Sequence, residues 1–228
     1  MRTPPGTAGV ATAGVSAPTS TVRPAEPRDV PALSAIRAAL TLQLGIQHDG
    51  VAPQARGFLL GSAPETYAMY VAAGAVQVAD VKGRAVAYSV VLPDSLLRSS
   101  EVYAKREQAG LEPGLLEWLE RSRVAYYDQL ASLPGHAALA VNLAYRHLQR
   151  TIEIHDAVLA TTVVEPVQNA AAVPLLMGVG FRPVGEVEEV YPEVGRIRSR
   201  VYAVTRESVA AVRSTARALR FERRLAIS

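Results

Sequence analysis

The chain is 228 residues long, 49% hydrophobic and 20% charged, with a formal net charge of +3 and no cysteine. That composition belongs to a globular protein with one sizeable core, and the missing cysteine excludes disulfides, thiolate metal sites and cysteine nucleophiles. It also fits a cytoplasmic location, and no apolar run approaches the roughly 18 residues that cross a bilayer, so no membrane partner is expected.

In chain order, residues 1–20 are small, polar or Pro/Gly without a single acidic side chain, and they read as a disordered leader that cannot offset its own ordering entropy. A short strand is expected over residues 21–25. Asp29 is placed to cap a helix, Pro31 fits its first turn, and Val30, Leu33, Ile36 and Leu40 follow at helical spacing. A second helical region spans roughly 53–74, broken near Gly61. Residues 76–80 alternate, Lys82-Gly83 makes a turn, and residues 85–92 return as a β-rich run, which predicts a hairpin in which Tyr88 is core. Residues 93–123 read as an insertion of two helical pieces separated by Gly110 and Pro113-Gly114. The second piece, with Trp118 beside Leu115, Leu116 and Leu119, is expected to brace one end of a sheet.

The centre of the chain runs from Val124 to Phe181. An aromatic strand (124–131) turns at Leu133-Pro134-Gly135. A long helix follows, then a β-branched strand (157–166) and an alanine-rich helical turn after Asn169. Strand, helix, strand is a βαβ crossover between parallel strands. Tyr126 and Tyr127 point to opposite faces of the first of these strands. Gly178-Val179-Gly180 follows a helix and reads as a C-cap, not a phosphate loop. His147 and His155 stand eight apart with no third ligand nearby, so no metal is expected. A last hairpin pairs 181–190 with 197–204, setting Glu186, Glu188 and Glu189 across from Arg196, Arg198 and Arg200. Residues 205–228 form a basic amphipathic helix with Val209, Val212, Ala216 and Leu219 on one stripe. Its six arginines and two glutamates carry the positive charge of the chain. Arg213, Arg217, Arg220 and Arg224 read as a solvated face, and nucleic-acid binding is the least favoured of the functional readings.

The order of elements over 21–204 resembles the GCN5-related N-acetyltransferase (GNAT) superfamily. The most specific part is Asn169-Ala-Ala-Ala172, Leu175-Leu176 and Gly180-Phe181-Arg182-Pro183-Val184-Gly185, which looks like the closing signature of that family. Val22-Arg23-Pro24-Ala25 with Asp29-Val30 resembles its first strand and helix, and Tyr126–Ala131 with Pro134 its fourth strand. The fold this implies is α/β, with a mixed, mostly antiparallel sheet of about six or seven strands flanked by helices, a central β-α-β unit and a C-terminal helix.

The resemblance further implies N-acyl transfer, with acetyl-CoA or another acyl-CoA as co-substrate and a small-molecule or peptide amine as acceptor. A pantetheine arm would add between the parallel strands like a further strand, and amides at a helix N-terminus would hold the pyrophosphate. The matching positions are Leu130, Ser132, Gly135, His136, Ala137, Ala138, Ala140 and Asn169. The family's turn carries an Arg or Gln and then two glycines two apart, where this chain has Gly135 and alanines. Leu176 occupies the position where the family often places a tyrosine acid. Glu165, at the end of the second parallel strand, is the first candidate base, and Asp128, a carboxylate inside an apolar strand, is the second. Two other readings stay open: a catalytically silent ligand-binding or protein-interaction module, and an enzyme served by an acyl carrier protein. A homodimer is compatible with all three.

Overall fold

The computed structural model describes residues 20–40, 62–169, 171–192 and 195–213. The expected leader (apart from Ser20), the first part of the second helical region and the arginines from 217 onward lie outside them. Strand β1 (Ser20–Pro24) begins one residue earlier than expected and carries an arginine that organises the corner beneath it. Arg23 grips Asp29 with both guanidinium nitrogens (2.7 and 2.9 Å) and reaches Asp80 at 2.9 Å. Asp29 also accepts the backbone N–H of Glu26 at 2.8 Å. Its carboxylate therefore turns back to β1 and makes no side-chain cap on α1 (Val30–Ala39), a correction to the expected role.

Helix α2 (Pro64–Ala72) precedes a hairpin of β2 (Val76–Val81) and β3 (Arg84–Leu92). The insertion departs from the expected two helical pieces. It holds short helices α3 (Asp94–Arg98) and α4 (Glu101–Ala104), a two-residue strand β4 (Gly110–Leu111) and helix α5 (Leu115–Arg121). In α5 it is Leu119 that buries, whereas Trp118 stays exposed. The crossover follows as β5 (Val124–Ser132), α6 (Ala137–Ile154) and β6 (Ala157–Glu165), then α7 (Ala172–Gly178), β7 (Arg182–Tyr191), β8 (Gly195–Thr205) and α8 (Arg206–Arg213). As expected, α7 ends in a glycine C-cap. Gly180 adopts φ +99°, its N–H reaches Met177 O, and the Phe181 N–H reaches Leu176 O, the two bonds of a Schellman motif.

All eight strands join one sheet in the order β1-β2-β3-β5-β6-β8-β7-β4. Only β5 and β6 run parallel. The strand beyond the expected six or seven is β4, which no alternating pattern marks. It lies so close to β7 that a Cβ on Gly185 would stand 2.6 Å from the Gly110 carbonyl. That approach is what the glycine permits.

Strand alternation divides the core between two faces. One face, covered by α1, α2 and the insertion, buries Leu33, Ile36, Tyr67, Tyr88, Val90 and Tyr126. The other, covered by α6, α7 and α8, buries Leu148, Ile152, Val158, Leu176, Phe181 and Tyr202, at about 1.5–3 kcal/mol for each large apolar side chain. Under the first turns of α6 the contacts are small, Ala79 and Ala87 against Ala140 and Leu143, which lets the helix settle close to the sheet. Alternation also corrects one reading of the last hairpin. Glu186 and Glu188 do meet Arg198, Arg200 and Arg196 across the strands, but Glu189 points to the other face and pairs with Lys105 of the insertion at 2.7 Å. Among the described residues no helix is long and apolar enough to cross a membrane.

Candidate active site

The parallel strands of the crossover pair over only four rungs, from Val124↔Ala157 to Tyr127↔Ala160. Both strands continue, β5 to Ser132 and β6 to Glu165, but they splay apart. The cause lies in the register of β5 against β3, where Val91 pairs with Tyr127 and Val90 with Gln129, leaving Asp128 as a bulge residue. A bulge bends its strand and sharpens its twist, which carries residues 128–132 away from residues 161–165. Two strand edges then face each other without ladder partners. Within this opening Thr162 keeps its hydroxyl buried with no hydrogen-bond partner among the described residues, a deficit of about 1–3 kcal/mol that an inserted polar chain relieves.

At the wide end of the splay, β5 leads through Leu133 and a turn into α6. Gly135 has φ +84° and open space where a Cβ would be, so the turn places its glycine where the backbone is left-handed. His136 is the N-cap, and α6 begins at Ala137. The Ala140 N–H already bonds His136 O at 3.0 Å. The amides of Ala137, Ala138 and Leu139 are the unpartnered donors of an 18-residue helix, where its dipole is positive. Ala137 and Ala138 are exposed, Ala140 packs inward, and Leu130 lies under the same helix. Ser132, half-buried, pairs with Ala87 on β3. None of the three alanines needs a positive φ, since all lie within the helix.

At the closed end stand Asp128 and Tyr126. Burial pushes the Asp128 carboxyl up to about 6, against the opposing pull of its hydrogen bond from Gln129. Gln129 Nε2 donates to Asp128 Oδ2 at 3.0 Å and to Ser62 Oγ at 2.8 Å. Its Oε1 accepts from the hydroxyls of Tyr67 (2.8 Å) and Tyr88 (3.0 Å), which also touch each other at 2.9 Å. That arrangement fixes which way the amide faces. The Tyr126 hydroxyl bridges the vertex to Thr161 Oγ1 at 2.6 Å, one residue past the last paired rung. Burial first, and the Asp128 charge next, hold this phenol protonated far above its ordinary range.

No protein-family model matches the sequence, and no curated protein does. Solved structures do match. The loading GNATL domain of CurA from Lyngbya majuscula aligns over 83% of this chain and 98% of its own length, with TM-score 0.54 and 11% identity. The polyamine N-acetyltransferase of Drosophila melanogaster aligns over 82% and 100%, with TM-score 0.52 and 16% identity. The NatC complex bound to Gag peptide and CoA aligns over 82% and 99%, with TM-score 0.50 and 15% identity. The chain has the GNAT fold.

Within that fold the remaining expected residues fall as follows. Asn169 ties the end of the opening together. Its N–H bonds Val163 O at 3.1 Å, and its side-chain oxygen accepts the Ala172 N–H at 3.3 Å ahead of α7. Leu176, at the GNAT tyrosine position, is buried among Phe181 and Tyr202 and offers no proton. Glu165 is 61% exposed at its side chain and ion-paired with Arg198. Five residues of extended chain, roughly 16 Å at about 3.3 Å each, separate it from Ala160 at the vertex. Asp128 is one residue from the vertex. Tyr127 lies on the α6 face as alternation required, its hydroxyl 2.7 Å from Ser89 Oγ, which in turn meets His147 Nδ1 at 2.9 Å. His155 is likewise buried, within 2.9 Å of Thr151 O. Sequence reasoning passed over Gln129, Tyr67 and Thr161. A long polar side chain at 129, in a strand otherwise apolar and aromatic, was the available signal.

Proposed function

We propose that this chain is an N-acyltransferase that moves an acyl group from an acyl-CoA, acetyl-CoA being the simplest, to a primary amine by direct attack. The observation that carries the reading is the splay itself. It has open strand edges along its length, free helix amides at its wide end and a carboxyl poised near 6 at its closed end. Residues 128–132 and 161–165 flank the pantetheine, and the α6 amides face the pyrophosphate. Asp128 takes precedence over Glu165 as base, because it stands beside the vertex and Glu165 stands at the phosphate end, engaged by Arg198.

The chemistry follows from those placements. The amine loses a proton to Asp128 and attacks the thioester carbonyl. The C–N bond forms, the C–S bond breaks, and the thiolate takes its proton from the Tyr126 phenol, which Asp128 then reprotonates. The net transfer is one proton from amine to sulfur. A base with pKa near 6 is ionised at neutral pH and retains useful driving force. No covalent enzyme intermediate is needed.

Calorimetric titration of the full chain with acetyl-CoA, and with coenzyme A alongside, tests the reading. Micromolar binding that Ala138→Trp weakens at least tenfold is the expected result, because the bulky ring covers the α6 amides. Absence of heat at millimolar ligand, in protein shown to be folded, would overturn it. Acyl transfer from a loaded acyl carrier protein under those conditions would then install the carrier-dependent alternative.

A further inference from the structure

Lys105 lies in the insertion, directly after α4, and its ammonium occupies a defined slot. Its Nζ is 2.7 Å from Glu189 Oε1 and sits 5.1 Å from the centroid of the Tyr191 ring. The Tyr191 hydroxyl donates to the same Glu189 oxygen at 2.8 Å. An aromatic face and a carboxylate arranged in this way form a recognition site for a primary ammonium. Glu189 and Tyr191 belong to the face of β7 turned away from the Glu186–Arg200 ladder, so they look toward the face that carries Tyr126. Both lie near enough to the Tyr126 phenol to act on its charge, as Asp128 does. The slot therefore flanks the vertex of the splay on the acceptor side. Its occupant is held on a flexible four-carbon stem and stays 35% exposed, which leaves it exchangeable.

The two carboxylates differ in the way the two ends of one substrate require. Glu189 holds its partner charged, since Lys105 is raised above its ordinary value mainly by that bond. Asp128 carries no cation among the described residues and is free to accept a proton. An amine about to attack must shed its proton, and an amine that anchors must keep one.

We propose that the acceptor is a diamine, one amine delivered to Asp128 and the other, as ammonium, displacing Lys105 from between Glu189 and Tyr191. This rests on the acyltransferase reading above, and its test is built to separate the two. Thiol release from acetyl-CoA is followed with the full chain and a series of linear α,ω-diamines, each beside the monoamine of equal length. At one chain length the diamine should exceed its monoamine at least tenfold in kcat/KM. Glu189→Gln and Tyr191→Leu should each bring that ratio toward one, through KM for the diamine. Lys105→Ala should lower the same KM, because the resident competitor is gone.

If amines are acylated but diamines hold no advantage, or keep it in Glu189→Gln, the proposal is overturned and the transferase reading stands. If Lys105→Ala only lowers the melting temperature and leaves the ratio and the diamine KM unchanged, the pair is a fastening of the insertion and the proposal is overturned. If no amine is acylated, the transferase reading falls, and calorimetry with the diamines decides the slot. Diamine binding abolished by Glu189→Gln supports it, and binding that is absent or indifferent to the variant overturns it.

Discussion

Strand β5 carries a tyrosine-centred polar network on each of its faces, and the two are built to opposite ends. On the α6 face, Tyr127, Ser89 and His147 form a short closed chain at 2.7 and 2.9 Å. Every member is neutral, because burial, with Arg150 assisting, pushes His147 down to about 4. On the other face, two tyrosines and Ser62 saturate the Gln129 amide, yet the network ends at Asp128, a carboxyl that the site raises to about 6 and does not neutralise. A closed network rigidifies a core. One that ends on an uncompensated ionisable group at a strand bulge stores a proton acceptor where a ligand can reach it. The contrast separates stability from function within a single strand.

The largest effect expected from breaking this contrast is on turnover. Asp128→Asn keeps the shape and the Gln129 contact but removes the base, and kcat should fall about 10²–10⁴-fold while the acetyl-CoA dissociation constant stays within twofold. Tyr127→Phe, on the neutral side, should leave kcat within threefold and lower stability by about 1–2 kcal/mol, since it strips one buried hydrogen bond. A Tyr127→Phe variant as inactive as Asp128→Asn, measured under saturating substrates, would reverse the assignment of roles.

The pH dependence of stability should differ in sign between the two faces. Asp128 has a folded pKa raised above its ordinary 3.8, so its contribution is fully present below pH ~4 and is lost as pH rises through about 6. Asp128→Asn should therefore be neutral at pH 4 and stabilising at pH 8, by at most about 3 kcal/mol on the pKa arithmetic, which urea denaturation at both pH values reads. His147 has a folded pKa depressed below its ordinary 6.5. Its contribution is present above pH ~6.5 and is lost as pH falls through about 4. His147→Gln should flatten the acid side of the stability profile and leave the alkaline side of the curve parallel to wild type.

Much of this frame was legible in the sequence. The crossover, the Asn169 to Phe181 signature and the opposed faces of Tyr126 and Tyr127 all follow from periods of 2 and 3.6 that a reader can count. The bulge was not legible, because one extra residue in a strand leaves every neighbouring residue type unchanged and alters only the register against β3. Asp128 drew notice as a carboxylate among apolar neighbours, but its precedence over Glu165 depends on where β5 and β6 cease to pair. The Glu165–Arg198 contact likewise joins residues 33 apart, through a β6–β8 register with a bulge of its own. Glu189 was grouped with Glu186 and Glu188 by adjacency, whereas alternation sends it to the other face and to Lys105. Single-strand patterns show what a side chain is, and the register between strands decides what it meets.

The smallest effect comes from the far end of the Asp128 network, and it tests how the network transmits. Tyr67 and Tyr88 both donate to Gln129 Oε1, so Tyr67→Phe leaves that oxygen with one donor and the Nε2 bond to Asp128 untouched. The loss should be about 0.5–1.5 kcal/mol of stability, with the acid limb of kcat/KM held near pH ~6. Gln129→Leu removes the one hydrogen bond that lowers the Asp128 pKa, and should move the same limb to higher pH. The direction is fixed by the bond being made to the ionised form. If Tyr67→Phe moved the limb as far as Gln129→Leu, the hydroxyls would be tuning the base through the amide. If neither moved it, the group titrating in the rate profile would not be Asp128.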